Sequence, residues 1–236
     1  MSGESALPAA ARAELSAPVR ELWLQRIHQL LFDSYLGVPL HKLPEDLRVY
    51  EHLLWESACD TVIELGTNLG GSALWFRDRL ATFAAYGRIR RPHVITIDIS
   101  AERARESFDA VDPDWRDTIT LVEGDVEDPA LAEEVRRVVG PDARCLVSED
   151  TAHTHESTLA ALRGFSQFVP PGGFFVVEDG FVDVEEMRPA PDWPRGVQSA
   201  IREWLAGEGA GFRVRRDLAL YGITCHVEGY LQRVAD

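Results

Sequence analysis

The sequence predicts an α/β fold: a seven-stranded, mostly parallel sheet with helices on both faces, extra helices at the N-terminus and an antiparallel hairpin at the C-terminus. Three observations predict it. Short β-branched apolar runs at 61–65, 93–97, 118–122, 143–148 and 173–177 alternate with helical-period segments at 71–85, 101–109, 129–139 and 156–168, the spacing of crossover units in a parallel sheet. The first run feeds a glycine turn that opens a helix, Gly66-Thr-Asn-Leu-Gly-Gly-Ser72. The final runs, 212–217 and 222–234, follow a helix at 197–205 and read as two strands that close the sheet together.

The other elements follow in order. Residues 1–17 are rich in Ala, Ser and Glu without an apolar period, so a flexible N-terminus is expected over 1–18. Val19, Leu22, Trp23, Ile27, Leu30 and Leu31 recur at helical spacing and predict an amphipathic helix over 19–35. Trp23 and the leucines are exposed unless something covers them, and a homo-oligomer is therefore expected. Residues 37–43 read as a loop. Pro44 followed by Glu45 and Asp46 has the chemistry of a helix start, and that helix turns Leu47, Tyr50, Leu54 and Trp55 toward the sheet. Residues 19–57 thus read as a helical extension of the domain at 58–236. Pro170-Pro-Gly-Gly173 is a turn feeding the fifth strand, and 189–194 is a proline-rich loop.

Composition excludes several classes. A chain of 236 residues suits one large α/β domain. Its formal net charge of −15 argues against nucleic acid, whose binding depends on Lys and Arg neutralising phosphates. No apolar run approaches the roughly 20 residues of a membrane span, and the start lacks signal-peptide character, so a cytoplasmic protein without membrane contact is expected. Cys59, Cys145 and Cys225 are odd in number and far apart, which reads as reduced, buried thiols without a disulfide or zinc site. Lysine occurs once, at Lys42, beside abundant arginine, and reads as compositional bias.

In an open α/β sheet, ligands bind beyond the carboxyl ends of the strands where the strand order reverses. The first such end reads Glu64-x-Gly66-x-x-x-Gly70-Gly71-Ser72. It fits neither the dinucleotide turn G-x-G-x-x-G nor a Walker A loop, and the missing lysine counts against a triphosphate. Glu64, Gly66, Thr67, Asn68, Gly70 and Ser72 are the expected cofactor contacts, with Gly70 and Gly71 leaving room for backbone to approach a ligand. Asp98 ends the second strand, where an acid accepts hydrogen bonds from ribose hydroxyls or caps the next helix. Gly124-Asp125 follows the third strand, as a further cofactor contact or a simple turn.

Asp150 follows the fourth strand, and Glu178 and Asp179 the fifth. Three neighbouring carboxylates repel one another unless protonated or bridged by a cation, and all-oxygen ligation suits Mg²⁺ or Ca²⁺ better than zinc; otherwise they are solvated loop acids. Consecutive strand residues point to opposite faces, so Glu178 and Asp179 share an ion only where the strand has begun to turn. His153 and His155 follow Asp150. An imidazole near its ordinary pKa takes the proton of an attacking alcohol as general base, although H-x-H also occurs as plain loop.

The E-x-G-x-x-x-G-G-S spacing resembles motif I of the Rossmann-like class I S-adenosylmethionine (SAM) methyltransferases. A wider part of the chain is similar to one family among them, the cephalosporin hydroxylases and rhamnosyl O-methyltransferases of natural-product pathways. The likeness runs through Gly37-Val-Pro-Leu-His-Lys-Leu-Pro-Glu-Asp-Leu-Arg-Val-Tyr50, the glycine turn at 63–72, the Asp-x-x-His of Asp150 to His153, Pro171-Gly-Gly-Phe-Phe-Val-Val-Glu-Asp179 and 196–204. The resemblance implies SAM held at Gly66, Gly70, Ser72 and Asp98, and Mg²⁺ or another divalent cation at Asp150, Glu178 and Asp179. It also implies O-methylation of a rhamnose-like deoxysugar hydroxyl in an antibiotic or other secondary-metabolite glycoside, with a non-sugar, cephalosporin-type hydroxyl as the alternative. Ala152 departs from the family pattern where a second aspartate is frequent, and Gly180 where threonine is common. An NAD-dependent oxidoreductase needs the dinucleotide turn this chain lacks, and a non-catalytic interaction protein has no need of the retained acids.

Overall fold

Val19–Leu30 forms the first helix, α1, of the computed structural model, which describes residues 19–235. The flexible segment expected over 1–18 lies outside the described residues. Helix α1 stops short of residue 35 because Ser34–Tyr35 (β1) pairs antiparallel with Val38–Pro39 (β2) across Leu36 and Gly37. Both loop residues have positive φ, 53° and 82°, the mirror-image two-residue turn whose twist matches paired strands. A hairpin therefore replaces the start of the expected loop. Helix α2, Pro44–Glu56, begins as expected with proline in its first turn beside Glu45 and Asp46.

Strand and crossover helix then alternate: β3 (Thr61–Leu65), α3 (Gly71–Ala85), β4 (His93–Asp98), α4 (Glu102–Val111), β5 (Ile119–Glu123), α5 (Pro129–Val138), β6 (Cys145–Glu149), α6 (His155–Phe165) and β7 (Phe174–Val177). Helix α7 (Val197–Ala206) and two short strands, β8 (Phe212–Val214) and β9 (Tyr230–Arg233), complete the fold. The sheet runs β5-β4-β3-β6-β7-β9-β8. Its first five strands are parallel, and β9 is antiparallel to both β7 and β8.

Both sheet faces are covered, which is why the strands read as nearly continuous apolar runs. Ile63, Leu65, Ile97, Val147 and Phe175 share a core with Leu131, Leu162 and Ile201 of α5, α6 and α7. Val62, Val94, Leu146 and Val176 share the other with Leu54, Leu74 and Phe108 of α2, α3 and α4. Trp23, expected to be exposed unless covered, is covered by the domain itself, edge-on to Phe181 at 5.3 Å, with its indole N–H donating to the Met187 carbonyl. The three cysteines are free and buried. Among the described residues no helix is long and apolar enough to cross a membrane.

The last strand is shorter than expected because residues 222–229 spend their hydrogen bonds elsewhere. Asp46, fully buried in the first turn of α2, accepts from the Thr224 hydroxyl at 2.6 Å, the Cys225 N–H at 2.9 Å and the Tyr230 hydroxyl at 2.9 Å. The C-terminal segment is thereby hung from the helix that precedes the sheet. Asp46→Ala leaves these donors buried without an acceptor, and is expected to lower the unfolding free energy by about 3 kcal/mol. Urea denaturation measures it as a lower midpoint at unchanged m-value; a loss below about 0.5 kcal/mol would show that the carboxylate is dispensable.

Candidate active site

The strand order reverses between β3 and β6, so a crevice opens over their carboxyl ends. Gly66 closes β3 with φ 100°, and a Cβ there would lie 1.9 Å from the Asp150 carbonyl oxygen. Asp150 in turn donates its N–H to the Leu65 carbonyl at 2.8 Å. Glycine at 66 is thus required by the contact between two strand ends. The room expected at Gly70 and Gly71 is likewise taken by the protein: a Cβ would meet the Phe108 ring at 2.4 Å and the Pro39 carbonyl at 2.2 Å.

On the β4 side, Asp98 organises the turn. Its carboxylate accepts the Asn68 N–H at 2.8 Å and the Ser100 N–H at 3.1 Å. Asn68 has a φ of 49°, and its side-chain amide lies 3.4 Å from the His41 ring. Thr67 is buried with its hydroxyl 2.7 Å from that of Thr96, which donates to Glu64 Oε2 at 2.6 Å. The other Glu64 oxygen is buried without a partner. Ser72 is also buried, and its hydroxyl helps to lower the Glu64 pKa. Gly124 and Asp125 follow β5, where Asp125 accepts the Glu127 N–H at 2.9 Å in a tight turn. Ile99, which the sequence reading passed over, stands 74% exposed next to Asp98, an apolar side chain at a strand end.

On the β6 and β7 side, the central group is Lys42, set aside in the sequence as composition. Its ammonium lies 2.7 and 2.6 Å from the two Glu178 oxygens and 2.9 Å from Asp150 Oδ2, with the side chain 1% exposed. Burial alone lowers an ammonium pKa, but Asp150 and Glu178 outweigh it and hold Lys42 charged. Glu178 Oε1 also accepts from the Tyr50 hydroxyl at 2.7 Å and the Ser148 hydroxyl at 2.6 Å. Burial raises the Glu178 pKa, and Lys42, His226 and the Ser148 hydroxyl bring it below the ordinary value.

Asp179 has left the strand: its φ is 54°, the turn that lets two adjacent acids serve one crevice. Lys42 does not bond it, and burial pushes its carboxyl up to about 6 against the pull of His153. His153 Nε2 lies 3.5 Å from Asp179 Oδ2 and 3.7 Å from Asp150 Oδ1, while its Nδ1 is buried without a partner. Burial lowers the His153 pKa, but the surrounding carboxylates raise it overall. One donor atom from each of Asp150, His153 and Asp179 lies within 4.8 Å of the others, a span one metal ion bridges. Among the described residues, four of the seven non-glycine residues with positive φ, His41, Asn68, His153 and Asp179, belong to this crevice, the clustering of strain that functional sites show.

The structure separates one candidate from the others and engages another. His155 does not join the site, because its ring lies 2.8 Å from the Ser199 hydroxyl and 3.1 Å from Glu203, both on α7. Glu178 is engaged by Lys42 and stands outside the three-donor group. Glu149 was missed: it ends β6 fully buried, accepts from Thr151, and burial raises its pKa. The departure at Gly180 has a steric cause, since a Cβ would lie 2.0 Å from the Val227 carbonyl oxygen. The loop from Phe181 to Pro194 is closed around Arg188, whose buried guanidinium donates to the carbonyls of Val182, Pro191, Trp193 and Pro194. Trp193 packs against Phe181 within it.

Comparison with known proteins agrees with the geometry. The model of the family described as Rhamnosyl O-methyltransferase/CmcI matches residues 30–234. A rhamnosyl O-methyltransferase of Mycobacterium tuberculosis (strain ATCC 25618 / H37Rv) is 28% identical over 160 residues, 66% of this chain and 60% of the relative. The chain therefore spans about 60% of the length of the curated relatives it matches. The apo structure of a CmcI chain is 24% identical, covers 100% of this chain and 88% of its own, and superposes with a TM-score of 0.65. A CmcI structure with Mg and SAM is 23% identical with the same coverage and TM-score. These two share the fold.

The buried Glu64 supplies a test by pH. Burial pushes its carboxyl up to about 7, against Lys42 and the hydroxyls of Ser72 and Thr96, from an ordinary 4.5. The native state takes up this proton more readily than the unfolded chain, so the stabilisation is complete below pH 4.5 and is lost as pH rises through 7. Glu64→Gln keeps the shape without the titration. Its Tm is expected to gain on that of wild type as pH rises from about 5 to 8; a gap constant with pH would mean Glu64 is ionised throughout.

Proposed function

This chain belongs to the Rhamnosyl O-methyltransferase/CmcI family, and on that premise we propose that it is a SAM-dependent O-methyltransferase acting, with a divalent metal ion, on a hydroxyl of a rhamnose-like deoxysugar. The observation that carries the reading is the union of two half-sites on neighbouring strand ends: an ordered glycine turn fastened to Asp98, and the Asp150, His153, Asp179 group beside it. The printed name of the mycobacterial relatives supports the sugar acceptor. Nothing in the site favours the cephalosporin-type alternative or a nicotinamide cofactor.

The residues present fit both groups. The buried, unpartnered Glu64 oxygen is an acceptor suited to the amino group of a methionine moiety. Asp98 offers a carboxylate to ribose hydroxyls, and exposed Ile99 offers an apolar surface to a purine. Asp150 and Asp179 supply hard oxygen ligands suited to Mg²⁺ or Mn²⁺. When bound, such an ion lowers the pKa of a sugar hydroxyl and, through it, orients a vicinal diol. SAM supplies an electrophilic methyl group.

The protein's part is then positioning and proton transfer. With Asp150 and Asp179 as the ion's ligands, His153, 3.7 and 3.5 Å from their oxygens and hydrogen-bonded to neither, is left to take the acceptor proton. Lys42 keeps Asp150 and Glu178 in place. The loop closed by Arg188 forms a prebuilt wall for the acceptor.

Calorimetric titration with S-adenosylhomocysteine and a methyl-transfer assay on rhamnosides test the reading. Asp150→Asn is expected to abolish turnover with cofactor affinity nearly unchanged, and His153→Ala to lower kcat by roughly 100- to 10,000-fold. A matched loss of cofactor affinity in Asp150→Asn would place that side chain in the wrong pocket. Arg188→Ala is expected to raise the acceptor KM while leaving cofactor binding intact; an unchanged KM would remove the loop from the acceptor site.

A further inference from the structure

We propose that the Lys42 ammonium is an exchangeable internal counter-ion, holding the strand-end carboxylates together when no divalent ion is bound and competing with that ion for Asp150 and Glu178. The inference rests on the metal reading above.

Three facts carry it. Both Glu178 oxygens lie on the ammonium, at 2.7 and 2.6 Å, so Glu178, a metal ligand by the sequence pattern, is not free for an ion while Lys42 stays. Asp150 is divided, with Oδ2 on Lys42 at 2.9 Å and Oδ1 turned toward His153 at 3.7 Å, and so belongs to both cation sites. Lys42 does not bond Asp179, which has the His153 ring at 3.5 Å and is left open to a second cation. Two cations sharing Asp150, whose side chain is 27% exposed, still repel each other at this range, and each draws on charge the other needs. The lysine is suited to exchange, since its charge rides on a flexible four-carbon stem. Without any cation the carboxylates of Asp150, Glu178 and Asp179 would face one another with only imidazole groups nearby.

Lys42 is the single lysine of the chain, which makes two measurements specific. The first is Mn²⁺ titration by calorimetry, without SAM or acceptor, of wild type, Lys42→Met and Lys42→Gln. The variants are expected to bind Mn²⁺ tighter by on the order of tenfold or more. Metal-free, they should melt below wild type and regain more Tm than wild type on saturation with Mn²⁺. Equal or weaker Mn²⁺ binding by the folded variants overturns the proposal.

The second measurement uses wild type alone and depends on no variant folding. Acylation of Lys42 by an amine-reactive reagent, followed by peptide mass spectrometry, is expected to run several-fold faster with saturating Mn²⁺. An unchanged or slower reaction overturns the exchange. If neither wild type nor variant binds Mn²⁺, the metal reading falls and this inference with it. Binding that ignores Lys42 leaves the metal reading standing and removes only the exchange.

Discussion

A buried ammonium set against two strand-end carboxylates is the interaction on which the site depends. Lys42 lies just before α2, Asp150 just after β6 and Glu178 just after β7, so one side chain joins the N-terminal extension to two neighbouring strand ends. Removing one partner of such a cluster is costly, because the charges left behind are already out of water. The surrounding hydroxyls are placed accordingly: Tyr50 and Ser148 both reach Glu178 Oε1, the oxygen that also takes a bond from the lysine.

Helix α2 supplies polar pillars as well as apolar packing. Leu53 and Leu54 are fully buried, yet Asp46 and Tyr50 on the same helix are equally buried and hydrogen-bonded. Asp46 holds the C-terminal segment and Tyr50 holds the acid at the end of β7. His226 connects them, lying 3.9 Å from Asp46 and 3.7 Å from Glu178. The extension before the sheet therefore shapes the floor of the crevice, and damage to it is expected to reach the site through these buried contacts.

The glycine turn has a packing role that its spacing does not reveal. Spacing assigned Gly70 and Gly71 to ligand approach and Gly66 to the end of the strand. In the fold, Gly66, Gly70 and Gly71 are each required by the chain's own atoms: the Asp150 carbonyl, the Phe108 ring and the Pro39 carbonyl. These contacts bring β3 against β6 and dock the β1–β2 hairpin on α3, so the turn is shaped before any ligand arrives. On the proposed function, the groups left to meet the ligand are Asp98 and the Glu64 carboxyl.

The sheet was legible in the sequence because its strands are buried on both faces and its crossover helices have a strong apolar period; both are local patterns. Strand-end acids were legible too, since the carboxyl end of each run marks where chemistry can sit, and Asp98, Asp150 and Asp179 all lie there. Tertiary structure alone decided which candidates meet. His155 and His153 are two residues apart, yet the left-handed backbone at His153 turns its ring to the acids, while His155 opens α6 and is bound by α7. Trp23 looked exposed because its cover, Phe181 and Met187, comes from far along the chain. Lys42 carried no local signal, because a lone lysine acquires its role only when folding brings Asp150 and Glu178, from over a hundred residues away, to within hydrogen-bond distance. Periodicity reports which face of an element is buried, and only the packed chain determines which charges share the space between elements.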